Sequence, residues 1–531
     1  MRNKKYPYYT VPEVRDMKEL LEYCATVYGE KTAIWFRKKG EVIKISFKQL
    51  KKDVDSFGTY LYGLGMQDKH IAILSENSYE WIVAYFAVVN GGNTVVPLDK
   101  ENDAESIKML TGKADVDLII HSNSYKEEVE GTSVRSLNMK MMSECISEGA
   151  QKISDGDTSF LECRIDPYKM CAIVFTSGTT GNPKGVMLSH SSLIKDAIGS
   201  ARNLYAPEGT VAILPLYHAF GWMACVLDQL ILGHGVFVCS SLKRVMEDIK
   251  FAAPRHVSIV PLLVSAIYNG IWDNAKKQGK EKKLRNAIKI SSSLRKIGID
   301  LRRKLFKQIY DGFGGNLEMI ISGGSGIDEK YIKGFDDLGI KLTNGYGITE
   351  LSPIVATMRN KHFAIGSVGC VNPGTECRIA DGEVQLKGET LFLGYYKDEA
   401  ATKEAFDGEW FKTGDLGYLD KDGLLYITGR AKNLIILSNG KNVSPEELES
   451  KLCEKIPEIK EVLVYGEDDQ ITAEIFTESD RNIIQEKILT LNRTQPSYKE
   501  ITKVKFRNTE FPKTTTKKII RQKDGGIKHD K

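Results

Sequence analysis

The sequence predicts an α/β fold: a large amino-terminal domain of helix-covered, mostly parallel sheets, a small β-rich subdomain, and a small mobile α+β carboxy-terminal domain. Three observations predict it. Helix-like and strand-like patterns alternate over roughly the first 430 residues, which favours parallel strands with helices on their faces. Near residue 366 the pattern changes to short strands broken by turn pairs. After Arg430 a second, shorter alternation begins, over a stretch of about 100 residues that suffices for one small domain.

The elements follow in order. "SFKQLKKDVDSFGTYLYGLG" has apolar residues at helical spacing and ends on a glycine suited to a C-cap. "KHIAILSEN" reads as a buried strand, "SYEWIVAYFAVVNGG" as a buried helix, and "NTVVPLD" as a strand. "DVDLIIHS", "GTVAILPL", "GVFVCSS", "HVSIVPL" and "LEMIISGG" repeat the strand theme. Strands that run into glycines put functional loops at the carboxyl edges of the sheets. "GSVGCVNPGTECRIADGEVQLKGETLFLGYY" is the β-rich part, with "NPGT" and "ADGE" as turns. "YLDKDGLLYITGR" reads as a hairpin with Asp422-Gly423 in the turn. Ser444-Pro445-Glu446-Glu447 carries a helix start, with Ser444 at N-cap, Pro445 at N1 and Glu447 at N3.

Composition narrows the class. A formal charge of +4 over 531 residues does not call for a nucleic-acid partner. Nine cysteines, odd in number and with no C-x-x-C pair, favour a reduced cytoplasmic protein. The eight histidines form no zinc motif. The start "MRNKKYPYYTVPEVRD" has no apolar segment of a signal peptide. The apolar runs "WIVAYFAVV" and "AFGWMACVL" are about half the length that crosses a bilayer.

"FTSGTTGNPKGVMLSH" (175–190) combines glycines, hydroxyls and a lysine just after an apolar run. Bare backbone and hydroxyls donate to an anion, and a lysine adds a point charge. The P-loop spacing fails, because Pro183 stands where its second glycine belongs and Gly185 follows Lys184. Either another nucleotide loop or a polar turn remains. "ISGGSGI" (321–327) and "NGYGITE" (344–350) share this grammar. Tyr346 between glycines can offer its ring face to a flat base. Thr349 and Glu350 can reach a phosphate oxygen and a hard cation such as Mg²⁺. In "KTGDLGYLD", Asp415 is suited to accepting two ribose hydroxyl bonds.

This ordered set resembles the adenylate-forming (AMP-binding) superfamily, which includes acyl-CoA synthetases, and within it the long-chain fatty acyl-CoA synthetase branch. "TSGTTGNPKGVMLSH" matches its phosphate loop, "NGYGITE" its adenine and Mg²⁺ motif, and "TGDLGYLDKDGLLYITGR" its ribose motif. "GRAKNLIILSNGKNVSPEELE" matches its hinge and "FPKTTTKKIIR" its carboxy-terminal lysine motif. The resemblance covers nearly the whole chain. It implies an adenylation domain over 1–429, with the β-rich subdomain at 366–429, a hinge at 430–433 and a lid domain over 434–531.

The resemblance also implies roles. Thr176, Ser177, Gly178, Thr179, Thr180 and Lys184 would hold the β- and γ-phosphates of ATP. Tyr346 would pack on adenine, with Gly323, Gly324, Ser325, Asn344 and Gly345 completing that pocket. Asp415 would bind the ribose with help from Arg430, and Lys432 would reach the nucleotide from the hinge. Glu350 and Thr176 would hold Mg²⁺, Thr349 the α-phosphate, and Lys518 would bridge that phosphate and the attacking carboxylate. Where the family has glycine before this lysine, the chain has Lys517. The implied reaction forms acyl-AMP and pyrophosphate from ATP and a fatty acid, then passes the acyl group to CoA. An acyl carrier protein as acceptor, or an aryl or other carboxylic acid as substrate, stays open.

"PLYHAFGW" (215–222) resembles the branch's acyl-pocket stretch, with Tyr217, His218 and Trp222 beside the acid and Trp222 at the gate position. A core tryptophan is the other reading. No aspartate lies between Ala212 and Val226 to pair with a substrate amine. Finally, residues 274–310 hold thirteen Lys/Arg against two Asp/Glu. Ile299, Leu305, Phe306 and Ile309 interleave with basic residues there, consistent with an amphipathic helix. Three readings stand: a solvated helical hairpin, a surface giving peripheral contact with an anionic membrane, or a patch part of which binds the polyanionic CoA.

Overall fold

A computed structural model describes residues 6–176, 183–239, 241–437, 441–467, 470–513 and 519–521. Its sheets are mixed, covered by helices, and followed by a separate carboxy-terminal unit.

One sheet runs in the order Gly394–Tyr395, Lys184–Ser189, Met170–Thr176, Thr94–Pro97, His70–Leu74, Leu118–His121, Arg135–Asn138. Its last five strands are parallel. The helix Tyr79–Asn90 lies buried beside them, started by Ser78, whose side chain accepts the Trp81 N–H. The other edge departs from the parallel pattern. Met170–Thr176 and Lys184–Ser189 form an antiparallel pair with Thr176 opposite Lys184. The segment expected to bind phosphate is therefore flanked by the two arms of a hairpin. Val186 and Leu188, two apart on the second arm, are both buried, as residues on one face of a strand are.

A four-stranded sheet joins Glu41–Ser46, Thr32–Lys38, Val236–Val238 and Thr210–Ala212. The longest sheet begins with parallel His256–Ile259, Met319–Ser322 and Lys341–Gly347. It continues antiparallel through Ile354–Thr357, Gly369–Val371, Leu424–Arg430, Trp410–Leu419, Glu383–Gly388 and Thr375–Ala380. The switch falls inside one strand. Asn344 pairs parallel with Ser322, and the next residue, Gly345, pairs antiparallel with Thr357. Antiparallel pairing thus starts some twenty residues before residue 366. Glycine is needed close to this switch: a Cβ on Gly347 would stand 2.1 Å from the Pro353 carbonyl oxygen.

In the carboxy-terminal unit, strands Glu461–Glu467, Gln470–Phe476 and Ile501–Arg507 carry helices Pro445–Lys455 and Arg481–Asn492. Ser444 caps the first helix as expected, accepting the Glu447 N–H.

The basic stretch is a helical hairpin, Pro261–Lys277 and Glu281–Lys296, followed by two short helices, Arg302–Leu305 and Lys307–Gly312. The expected amphipathic helix over 299–309 is corrected. Gly298 takes φ +83° and the chain breaks again at Phe306, which is buried in the core. Among the described residues, no helix is long and apolar enough to cross a membrane.

Candidate active site

Four segments distant in sequence meet around the strand Lys341–Gly347. The hairpin Trp410–Leu419/Leu424–Arg430 sets Asp415 directly across from Arg430. The Asp415 carboxylate is almost wholly buried and makes a 2.6 Å ion pair with Arg430 Nε. Its other oxygen accepts a 2.6 Å bond from the Tyr346 hydroxyl. Burial, then the neighbouring Asp415 charge, pushes the Tyr346 hydroxyl pKa far up, so it stays a donor. Gly414 turns with φ +69°, and its N–H donates to Glu383. Lys432 sits in the short turn Ala431–Asn433. Crowding by protein atoms, then Arg430, lowers its pKa, while Asp415 and Glu446 oppose that shift.

On the other side of Tyr346, Thr349 and Glu350 open a 3₁₀ turn ended by Ser352 in the left-handed region. Glu350 Oε1 accepts a 2.9 Å bond from the Tyr395 hydroxyl. The Lys184 ammonium stands 4.5 Å from the centroid of that same Tyr395 ring. Backbone pairing of Tyr395 with Val186 brings these groups together. The expected phosphate-loop lysine and cation-binding carboxylate thus share one tyrosine. Sequence reasoning missed Tyr395; its only trace was the turn-and-aromatic run "LFLGYY".

Gly323 is packed under the Phe220 ring, where a Cβ would come to 2.7 Å. This contact joins the "GGSG" loop to the "PLYHAFGW" stretch, and Phe220 was also missed. Gly324 turns at φ +90°, and Gly324 and Ser325 are exposed. Asn344 is buried, and its Oδ1 has no partner among the described residues; nor has the buried Ser322 Oγ beside it. Two orphaned polar atoms side by side on neighbouring strands suit a polar ligand.

Tyr217, His218 and Trp222 lie on the loop and short helix after Thr210–Ala212. Trp222 is buried, with its ring 4.0 Å from Tyr85 and about 5 Å from Trp81 and Phe86, centroid to centroid. It also borders a small apolar cavity with Tyr85, Val174, Leu188 and Tyr217. The turn after it, Met223–Leu227, is π-helical, a distortion frequent at functional sites. Tyr217 and His218 rings lie 4.7 Å apart.

Mg²⁺ prefers oxygen ligands and needs few from protein when phosphates supply the rest. Glu350 fits: Tyr395 engages one carboxylate oxygen, and Thr176 Oγ1 lies on the strand facing Lys184. Ser177, Gly178, Thr179, Thr180 and Lys518 lie outside the described residues.

The AMP-binding enzyme family matches residues 21–396 and the AMP-binding enzyme C-terminal domain matches 432–524. The chain belongs to this family and is an ATP-dependent, adenylate-forming ligase by class. Its relatives include a Mycobacterium bovis protein named long-chain-fatty-acid–CoA ligase FadD15. The two are 30% identical over 447 residues, 77% of this chain and 72% of the relative. An Arabidopsis thaliana protein named long-chain-fatty-acid–[acyl-carrier-protein] ligase AEE15 is 25% identical over 86% of this chain and 75% of its own length. The fold matches the anthranilate CoA ligase AuaEII, with TM-score 0.78, 20% identity, and coverage of 98% and 97% of the two chains. It also matches Bacillus subtilis o-succinylbenzoate CoA synthetase with ATP and magnesium, with TM-score 0.75, 22% identity, and coverage of 94% and 98%.

Proposed function

We propose that the protein activates a long-chain fatty acid as acyl-AMP and transfers the acyl group to CoA. The observation that carries the adenylation half is the convergence of Tyr346, Asp415 and Arg430 on one side and Glu350, Tyr395 and Lys184 on the other. Repulsion between an anionic acid and ATP is the obstacle, so donors and cations must stand where charge gathers. Tyr346 offers its ring to adenine, and Asn344 Oδ1 is an acceptor free for an amine. Asp415, steadied by Tyr346 and Arg430, accepts from the ribose hydroxyls. Lys184 holds the outer phosphates, and Thr349 donates to the α-phosphate. Mg²⁺ held by Glu350 and Thr176 would neutralise phosphate charge.

The acid's carboxylate oxygen forms a bond to the α-phosphorus while the α–β anhydride bond breaks and pyrophosphate leaves. Lys518 bridges the two anions in this step. The lid then turns about Lys432, and a thiol attacks the acyl carbon. The C–S bond forms, the acyl C–O bond to AMP breaks, and the thiol proton goes to solvent or a base. For the acid, support comes from the apolar surroundings of Trp222 and from the relatives named as long-chain-fatty-acid ligases. A carrier protein as acceptor is the second reading, favoured by the AEE15 relative.

Acid-dependent ATP–pyrophosphate exchange over fatty, aryl and amino acids tests the proposal, repeated with CoA and with a holo-carrier protein. Exchange should be strongest with long-chain acids, and thioester should form with CoA. Exchange confined to aryl or amino acids would refute the substrate assignment.

A further inference from the structure

The outer face of the helix Glu281–Lys296 has two parallel rows at seven-residue spacing. One row is Lys283, Ile290 and Ile297, the last just past the helix end; the other is Lys282, Lys289 and Lys296. Residues seven apart lie on one side of a helix, two turns along. Leu284 and Ile288 turn away from this face and pack on the core. Ile290 is 56% exposed and Ile297 71% exposed, in a helix whose core-facing side is already supplied. Beyond the helix end, Ile299 and Leu305 are also exposed, at 44% and 42%.

The charges sort into two groups. Arg285 is tied to Glu281 and lies over the Trp272 ring. Arg295 and Arg302 reach Asp336, and Lys307 reaches Asp311. By contrast, Lys282, Lys283, Lys289 and Lys296 are exposed and pair with no carboxylate among the described residues. Lys276, Lys277, Lys280 and Lys304 elsewhere in the stretch also lack a carboxylate partner among the described residues, but these four lysines are the ones on the helix that carries the exposed isoleucines.

We infer that this face docks the protein on an anionic bilayer, with Ile290 and Ile297 entering the interface between lysines that meet lipid phosphates. The occupant follows from charge and shape. The rows run along a helix about 24 Å long, a strip of lysines beside a strip ending in two isoleucines, which suits a plane. An amphipathic surface helix with lysines around an apolar stripe binds such an interface reversibly. Each basic residue near the surface contributes about fivefold in partitioning.

The test is cosedimentation of the full chain with phosphatidylcholine vesicles, with and without phosphatidylglycerol, at low and high salt. Binding should need the anionic lipid and fall at least tenfold in high salt. Lys282→Glu/Lys289→Glu/Lys296→Glu should abolish it. Ile290→Ser/Ile297→Ser should weaken it at constant charge, with an unchanged melting temperature. Equal binding to neutral and anionic vesicles, or no effect of the isoleucine changes, overturns the inference. So does self-association without lipid that the isoleucine changes dissolve, since a second copy then covers the face. Binding of an acidic carrier protein at this face, with no vesicle binding, also overturns it.

Discussion

Tyr395 donates its hydroxyl to Glu350 Oε1 at 2.9 Å while its ring face carries the Lys184 ammonium. The tyrosine is itself held. Its N–H donates to Thr402 Oγ1, and Phe392 stands 4.9 Å away edge-on. Burial, then Glu350, pushes the Tyr395 hydroxyl pKa up, so it remains a donor at any working pH. The bond fixes one carboxylate oxygen of Glu350 and so its direction.

Tyr395→Phe keeps the ring under Lys184 and removes only this bond. Hydrogen bonds to charged groups are worth about 1.5–3 kcal/mol. The Mg²⁺ concentration for half-maximal pyrophosphate exchange should therefore rise about tenfold, with little change in melting temperature. A lower melting temperature with an unchanged Mg²⁺ curve would make the bond structural only.

Asp415 should separate nucleotide from acid. Asp415→Asn keeps the shape but weakens acceptance from the ribose, and it leaves Arg430 facing a neutral amide. The KM for ATP should rise tenfold or more while the KM for the acid stays within about threefold. Equal effects on both substrates would count against a ribose role.

The hairpin itself was legible from Asp422-Gly423. The turn register alone would set Gly429 across from Asp415; a bulge between Leu416 and Gly417 shifts the partner to Arg430, and only the family resemblance named Arg430. Tyr395 was not legible. Its place depends on Gly394–Tyr395 pairing with Val186–Met187, a contact some two hundred residues long in sequence. The hairpin around the phosphate segment was hidden for a related reason: an apolar run reads the same in a parallel or an antiparallel pair. The period of 299–309 misled, since apolar spacing does not reveal the break at Phe306, which ends one short helix and precedes the next. Family resemblance supplied the roles of Lys184, Thr349 and Glu350, which spacing alone left open.

Trp222 carries both of its sequence readings. Its contacts with Trp81, Tyr85 and Phe86 make it core, and its edge borders the small cavity. Trp222→Ala should therefore destabilise by about 3–5 kcal/mol. Trp222→Phe is the cleaner probe: it keeps a ring and enlarges the cavity. Preference in pyrophosphate exchange should move toward longer or bulkier acids. Unchanged selectivity with a lowered melting temperature would leave only the core role.

The two half-reactions should separate at the lid. Lys518→Ala should abolish acyl-adenylate formation but spare thioester formation from supplied acyl-AMP. Lys432→Pro should keep adenylation and block the thioester step, because proline fixes φ at the turn Ala431–Asn433. Single-turnover assays of each half decide it. Equal loss of both halves in either variant would remove that residue from its role.

Asp228 gives a pH-dependent stability. It is fully buried behind the π-helical turn, its Oδ1 accepts a 2.7 Å bond from Ser200, and Asp196 lies close enough to feel its charge. Burial raises its pKa from 3.8 to about 7, with the Ser200 bond opposing. The sign follows from proton counting. Between about pH 4 and pH 7 the folded chain keeps this proton and the unfolded chain has lost it. The stability contribution is therefore whole below about pH 4 and is lost as pH rises through about 7. Asp228→Asn stays neutral and still accepts from Ser200. Its melting temperature should match the parent at or below about pH 4 and exceed it at pH 8, by an amount of order 2–4 kcal/mol in stability. Thermal denaturation of both proteins across that range is the measurement. A difference that does not change with pH would show that Asp228 is ionised in the folded chain.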